Sequence, residues 1–194
     1  MLVSFDNDVL ENIQIKGMMM NLKSLIRTVP NYPKPGILFR DISTLLYNGN
    51  ALKYISDIYF KRYKDKNINA IVGIEARGFI FGAIIAEKLG ISFVPIRKKG
   101  KLPCNVISEE YSLEYGTDAL EIDVTSLNKD SNIVIIDDLI ATGGTALASG
   151  NLIKQLNASI FEYSFLINLP ALGGAQKLKD NNYEVHSFME FEGE

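Results

Sequence analysis

The chain has 194 residues, of which 47% are hydrophobic and 22% charged, a composition that suits one globular domain and excludes disordered, collagen-like and disulfide-scaffold classes. Its 20 basic and 23 acidic residues leave a formal net charge of -3, which argues against a nucleic-acid partner held by overall charge, so any anion site has to be local. The single cysteine, Cys104, has no partner for an internal disulfide, and the longest apolar run, Phe79 to Ala86, is far short of the roughly 18 residues of a membrane span; the expectation is a soluble, cytoplasmic protein with no membrane partner.

Residues 1–20 mix acids with apolar groups and lack the basic flank and long apolar stretch of a secretory signal, so they are expected to form an extension, partly disordered, ahead of a single domain spanning 21–194. Pro30 to Asp41 holds three prolines and a glycine and reads as a stiff irregular segment. From Ala51 to Tyr63, the apolar residues Leu52, Ile55, Ile58 and Tyr59 recur at helical spacing. Ala70 to Ile74 reads as a short strand closed by Glu75, and Gly78 to Leu89 as a buried helix stopped by Gly90. Ile91 to Ile96 is a second strand. A polar stretch then runs to about Asp118, and Leu120, Ile122 and Val124 alternate as a third strand. A gap of that length inside a compact domain points to a lid.

Ile133 to Ile136 is a continuous β-branched run, as expected for a strand buried on both faces. A helix from about Thr145 to Leu156, a strand from Ile160 to Leu169, a short helix from Gly174 to Lys179 and a strand from Tyr183 to Met189 complete the chain. Strands alternating with helices specify an α/β fold with a mainly parallel sheet, whose ligand sits at the carboxyl ends of the strands.

The strongest chemical signal follows the central strand: Asp137, Asp138, then Ala141-Thr142-Gly143-Gly144-Thr145 opening a helix. The glycines let successive amides turn inward, the threonines add hydroxyls, and the helix start adds positive dipole character, which together make a cradle for a monophosphate. No Gly-Lys-Ser/Thr follows, so this is not a nucleotide P-loop. Carboxylates repel phosphate, so Asp137 and Asp138 must face ribose hydroxyls or a metal ion. A capped helix after a core strand, with the acids in a solvated turn, is the plainer alternative. Arg77, just past the first of these strands, has a planar fork suited to pyrophosphate oxygens. Arg97 and Lys101 are assigned ligand contact, with Lys98 and Lys99 facing solvent or contributing to the local field. His186 is read as structural, and Cys104, which lacks a histidine partner, is not a nucleophile candidate.

These residues resemble the type I phosphoribosyltransferases, and within them the members that take adenine. Beyond the acid pair and its Thr-Gly-Gly-Thr loop, the likeness rests on Tyr32-Pro-Lys-Pro-Gly36-Ile-Leu-Phe39-Arg40-Asp41, Glu75-Ala-Arg77-Gly78, Arg97-Lys-Lys-Gly-Lys101 and Tyr111-Ser-Leu-Glu114-Tyr115-Gly116, in that order. The resemblance implies that fold, with an N-terminal hood of about residues 21–45 and a lid of about 97–118. It implies that adenine and phosphoribosyl pyrophosphate react to AMP and pyrophosphate, with Mg2+ as cofactor and a homodimer as the assembly. It places Leu38, Phe39 and Arg40 at the base. It places Arg77, Arg97 and Lys101 at the pyrophosphate side, Ala141 to Thr145 round the 5'-phosphate, and Tyr115 among the substrate-binding residues. Glu114, Asp137, Asp138 and Arg77 are the implied catalytic groups, Glu114 as proton carrier, with Asp137 and Asp138 able to meet the metal through substrate or water. Two alternatives stay open: another purine base, or a regulator that senses phosphoribosyl pyrophosphate without turnover.

Overall fold

A computed structural model describes residues 20–112 and 116–193, so the expectation for 1–20 falls, apart from Met20, outside the described residues. The chain divides into two compact units, residues 1–61 and 62–194.

In the first unit a 3-10 turn, Leu22–Leu25, is capped by Asn21, whose side chain accepts the Ser24 N–H. Two short strands follow, β1 (Arg27–Pro30) and β2 (Leu38–Asp41), paired antiparallel with Val29 opposite Phe39 and Thr28 opposite Arg40. The proline-rich segment is thus a hairpin rather than irregular chain. Its loop turns at Asn31 and Gly36, both with positive φ, and the Gly36 N–H donates to Asn31 Oδ1 at 3.0 Å. Helix α1 (Ser43–Leu46) leads into α2 (Gly49–Tyr63), whose last two residues belong to the second unit. Along α2 the deepest positions are Ala51, Ile55 and Tyr59, one turn apart, so the buried stripe sits beside the one read from Leu52 and Ile58.

The second unit is built on a seven-stranded sheet. Its elements are β3 (Ala70–Ile74), α3 (Gly78–Leu89), β4 (Ser92–Lys98), β5 (Val106–Ser112), β6 (Thr117–Asp123), β7 (Asn132–Ile140), α4 (Gly144–Gln155), β8 (Ser159–Asn168), α5 (Gly174–Asp180) and β9 (Val185–Glu190). The sheet order is β5-β6-β4-β3-β7-β8-β9, with β4, β3, β7, β8 and β9 parallel and the β5–β6 hairpin added antiparallel at one edge. Ile133 to Ile136 of β7 are fully buried, as expected for a strand covered on both faces. The order reverses between β3 and β7: β3 leads through α3 to β4 on one side, and β7 through α4 to β8 on the other. A crevice opens where parallel strands part in this way, outside their carboxyl ends.

Two glycines set how closely α3 lies on the sheet. A Cβ added to Gly73 of β3 or to Gly82 of α3 would sit 2.7 Å from the Phe93 ring, so that ring fills the space both leave. No helix among the described residues is long and apolar enough to cross a membrane.

Candidate active site at the carboxyl edge of the sheet

The loops after β3, β4 and β7 gather at one edge because those strands are parallel neighbours. The Glu75 N–H donates to Ile96 O at 2.9 Å, which joins the ends of β3 and β4. Gly73 lies opposite Ile136, which joins β3 to β7. The structure therefore brings together Glu75 to Gly78, Arg97 to Lys101, and Asp137 to Thr145.

The acid pair lies within β7, whose ladder with β8 runs on to Ile140, rather than after the strand as expected. Asp137 Oδ1 accepts the Asp138 N–H at 2.9 Å, and Asp138 is 2% exposed. Burial pushes the Asp137 carboxyl far above its ordinary range, and the adjacent Asp138 charge pushes it further. Burial also raises Asp138, against the opposing pull of Arg77. Arg77 Nε lies 3.1 Å from Asp138 Oδ2, an ion pair that leaves this buried oxygen without an aligned hydrogen bond. Gly78 makes the approach possible: a Cβ there would lie 2.6 Å from Ile136 O and 3.1 Å from Asp137 Oδ1.

The loop after the acids is stabilised by its turns and from outside. Gly143 takes a left-handed conformation (φ 77°) that most side chains disfavour, and α4 begins at Gly144 with no side chain capping it. Ala141 O accepts the Gly174 N–H at 2.9 Å, and a Cβ at Gly174 would lie 2.3 Å from that oxygen and 2.6 Å from Gly143 N. The start of α5 thus abuts the loop without intervening atoms. Thr142 is exposed and Thr145 half-buried.

Helix α3 begins in the same manner. Arg77 stands at its N-cap and no side chain caps it. Two uncapped helix starts of twelve-residue helices therefore leave adjacent parallel strands, one on each side of the acid pair.

The cations Arg97 and Lys98 at the end of β4, and Lys101 just beyond it, are held by carboxylates. Glu75 Oε1 accepts Lys101 Nζ at 2.6 Å, Oε2 accepts the Lys98 N–H at 3.0 Å, and Arg97 Nε lies 3.4 Å from Oε2. Burial alone would raise the Glu75 carboxyl, but these donors outweigh it and hold it below its usual range. Arg97 and Lys101 are thus brought together on Glu75. Lys98 and Lys99 are both exposed, and Lys98 Nζ also lies 2.8 Å from Asp118 Oδ2.

Leu38, Phe39 and Arg40 all lie on β2 of the first unit. Tyr32 and Phe39 meet edge to face at 5.2 Å. Arg40 is 8% exposed and donates through Nη1 to Thr28 Oγ1 at 2.6 Å. Glu114 and Tyr115 lie outside the described residues. His186 stands apart from the site: Nδ1 is 3.0 Å from Ser164 Oγ, and burial and the nearby Arg62 charge lower its pKa to about 4.

Sequence reasoning gave no individual role to Glu75, Asp118 or Gly174. An acid closing a fully buried strand was the available signal for Glu75. Nothing local marked the others, whose partners are contributed by distant segments.

Among the described residues no group of three or more histidine, cysteine or acidic side chains could cage a metal ion. The buried acid pair, in which Asp138 Oδ2 meets Arg77 without an aligned hydrogen bond, has the hard oxygen donors that would suit a magnesium ion contacted by one or two carboxylates.

Residues 41–191 match the model of a phosphoribosyl transferase domain. Over 173 residues the chain is 51% identical to an adenine phosphoribosyltransferase of Methylobacillus flagellatus, covering 89% of this chain and 98% of the relative. Its fold matches the solved adenine phosphoribosyltransferase of Saccharomyces cerevisiae, complexed with an imino-altritol bisphosphate and adenine, at a TM-score of 0.81 and 40% identity over 87% of this chain and 96% of that one. The Trypanosoma brucei enzyme, solved with AMP, pyrophosphate and ribose-5-phosphate, matches at 0.81 and 28% identity, covering 87% of this chain and 77% of that one.

Proposed function

The chain belongs to the phosphoribosyltransferase family, and on that premise we propose that it transfers the 5-phosphoribosyl group of phosphoribosyl pyrophosphate to adenine, giving AMP and pyrophosphate. One observation carries this reading: two uncapped helix starts flank a buried acid pair at the switch point of the sheet. Phosphoribosyl pyrophosphate has the matching form, an anion at each end of a sugar with neighbouring hydroxyls. The start of α4 with Thr142 to Thr145 takes the 5'-phosphate. The start of α3, with Arg77, Arg97 and Lys101, takes the pyrophosphate. Asp137 and Asp138 accept from the ribose hydroxyls between them.

The reaction forms a bond from a base nitrogen to the anomeric carbon and breaks the bond from that carbon to pyrophosphate, which leaves with the electron pair. Holding both reactants in line supplies roughly 7 to 11 kcal/mol of the barrier in well-oriented systems. Arg77, Arg97 and Lys101 stabilise the charge that develops on the leaving group, and the carboxylates stabilise positive charge on the sugar. Magnesium, when bound through substrate oxygens, neutralises part of the pyrophosphate charge. Leu38, Phe39 and Arg40 as base-binding groups, a homodimer, and a cytoplasmic place of work suited to charged substrates that do not cross membranes complete the proposal.

The test is a side-by-side assay with phosphoribosyl pyrophosphate, Mg2+ and adenine, hypoxanthine, guanine or xanthine. Pyrophosphate release with adenine alone is expected, because a site that accepts from an amine rejects an oxo analogue by about 10⁴-fold. Equal turnover of an oxo base overturns the assignment of adenine, and no release with any base overturns the enzyme.

A further inference from the structure

The turn that follows β4 is held by acids from two neighbouring strands. Glu121, buried on β6, accepts the Gly100 N–H through Oε2 at 2.8 Å and so fixes the tip of the turn. Glu75, at the end of β3, takes the side chains: Oε1 accepts from Lys101 Nζ at 2.6 Å, Oε2 accepts the Lys98 N–H, and Arg97 Nε lies 3.4 Å from Oε2. Arg97 closes the turn on itself by donating through Nη1 to Lys101 O at 2.9 Å. The Glu75 side chain is only 8% exposed, against 34% for Arg97 and 48% for Lys101. The acid is therefore the inner member of the group, and the cations form its outer rim. A carboxylate and a phosphate ask the same of such cations, an oxygen anion at about 2.7–2.9 Å.

We propose that Glu75 is a positioning residue that occupies the donors pyrophosphate needs, gathering Arg97 and Lys101 while lowering their affinity for that anion. The turn bears four cations, Arg97, Lys98, Lys99 and Lys101, and Lys98 is paired with Asp118. Without Glu75, Arg97 and Lys101 would meet a polyanion with their charge uncompensated. Burial works against the charge on Glu75, but Lys101, the Lys98 N–H and Arg97 together hold its carboxyl below the usual range, so the acid keeps its hold at neutral pH. A glutamate can also let go of Lys101 by rotating about its own side-chain torsions, with no shift of the strand that carries it. Glu121 keeps the Gly100 N–H meanwhile, so the turn itself stays anchored.

This inference rests on the reading of Arg97 and Lys101 as the pyrophosphate side of the site. Its test is titration calorimetry of the full chain with pyrophosphate and Mg2+, comparing the unsubstituted protein with Glu75→Gln, which keeps an acceptor for the Lys98 N–H and removes the charge. The Kd for pyrophosphate is expected to fall about three- to tenfold, the scale of one or two partly exposed ion pairs that no longer have to be opened. It should also rise more steeply with added salt, while the KM for adenine stays where it was. A glutamate that only braced the turn would act with the opposite sign, since a loosened turn binds more weakly. On a Lys101→Gln background the gain should shrink, because the cation that Glu75 held is gone. Glu75→Asp, which keeps the charge on a shorter side chain, should shift the Kd in the same direction by less, and it carries the test if Glu75→Gln does not fold. Unchanged or weaker pyrophosphate binding in a folded variant overturns the proposal, as does a gain of full size on the Lys101→Gln background. If the unsubstituted protein binds no pyrophosphate, the reading of these cations fails instead and takes this inference with it.

Discussion

Asp137 and Asp138 show what the site costs at the scale of single residues. Two buried neighbouring carboxyls resist ionisation, and only Arg77 offers one of them a cation among the partners described. A carboxyl whose folded pKa is raised stabilises the protein fully below its unfolded pKa, and loses that contribution as the pH rises through the folded value. At neutral pH the pair therefore opposes folding. Asp137→Asn keeps the side-chain oxygen that accepts the Asp138 N–H and removes the charge. It should raise Tm by about 2–4 °C, the effect of roughly 1 kcal/mol in a chain of this size, while turnover falls; calorimetry and a phosphoribosylation assay check the two signs. The residues in the acid and glycine motif were legible in the sequence because strand, acids, glycines and hydroxyls stand in one run. Asp118 and Gly174 were not, because each acquires its role from a partner on another strand or loop.

Among elements, the fully buried strands were the readable ones. Ala70 to Ile74 is observed with the boundaries read from it and β8 with slightly shifted ends, whereas β7 runs four residues past Ile136 and takes in both acids. Strand β5 was hidden. It is the edge strand of the sheet and carries Ser108, Glu109 and Glu110, polar residues that pair with β6 or reach α4 rather than enter the core. The hairpin in the first unit was hidden by its prolines, though Pro30 stands at the end of a two-stranded sheet, where a missing N–H is tolerated. The contact between α5 and the phosphate loop belongs to this scale. Gly174→Ala would force a Cβ to within 2.3 Å of Ala141 O, so helix and loop have to part. An approximately hundredfold loss of affinity for phosphoribosyl pyrophosphate is expected, the consequence of a shift of about 1 Å in a positioning loop, and titration calorimetry measures it.

For the second unit as a whole, the polar groups far from the site govern its response to acid. Glu162 receives Arg62 through both Nε at 2.7 Å and Nη2 at 2.6 Å, and Tyr63 donates to the same carboxylate. His186 stands nearby in neutral form, its pKa lowered to about 4. Because the unfolded chain takes up this proton near pH 6.5 and the folded one only near pH 4, stability should fall as the pH drops between those values, by up to about 3 kcal/mol. Urea unfolding of the protein and of His186→Asn at pH 7 and pH 5 tests this: the substituted chain should lose less stability between the two. Strand alternation and a mainly parallel sheet were legible from periodicity alone. The order of the strands was not, since it depends on which elements cross over, and it is this order that places two helix starts beside one pair of acids.

The carboxylates that hold Arg77, Arg97 and Lys101 have a further consequence for turnover. On the proposed reaction, an arriving polyanion displaces Glu75 and Asp138 from their cations much as one counter-ion replaces another on an exchange resin. Departure reverses the exchange, since both acids stand ready to reclaim their partners. Grip on a highly charged leaving group and its prompt discharge then arise from the same three cations.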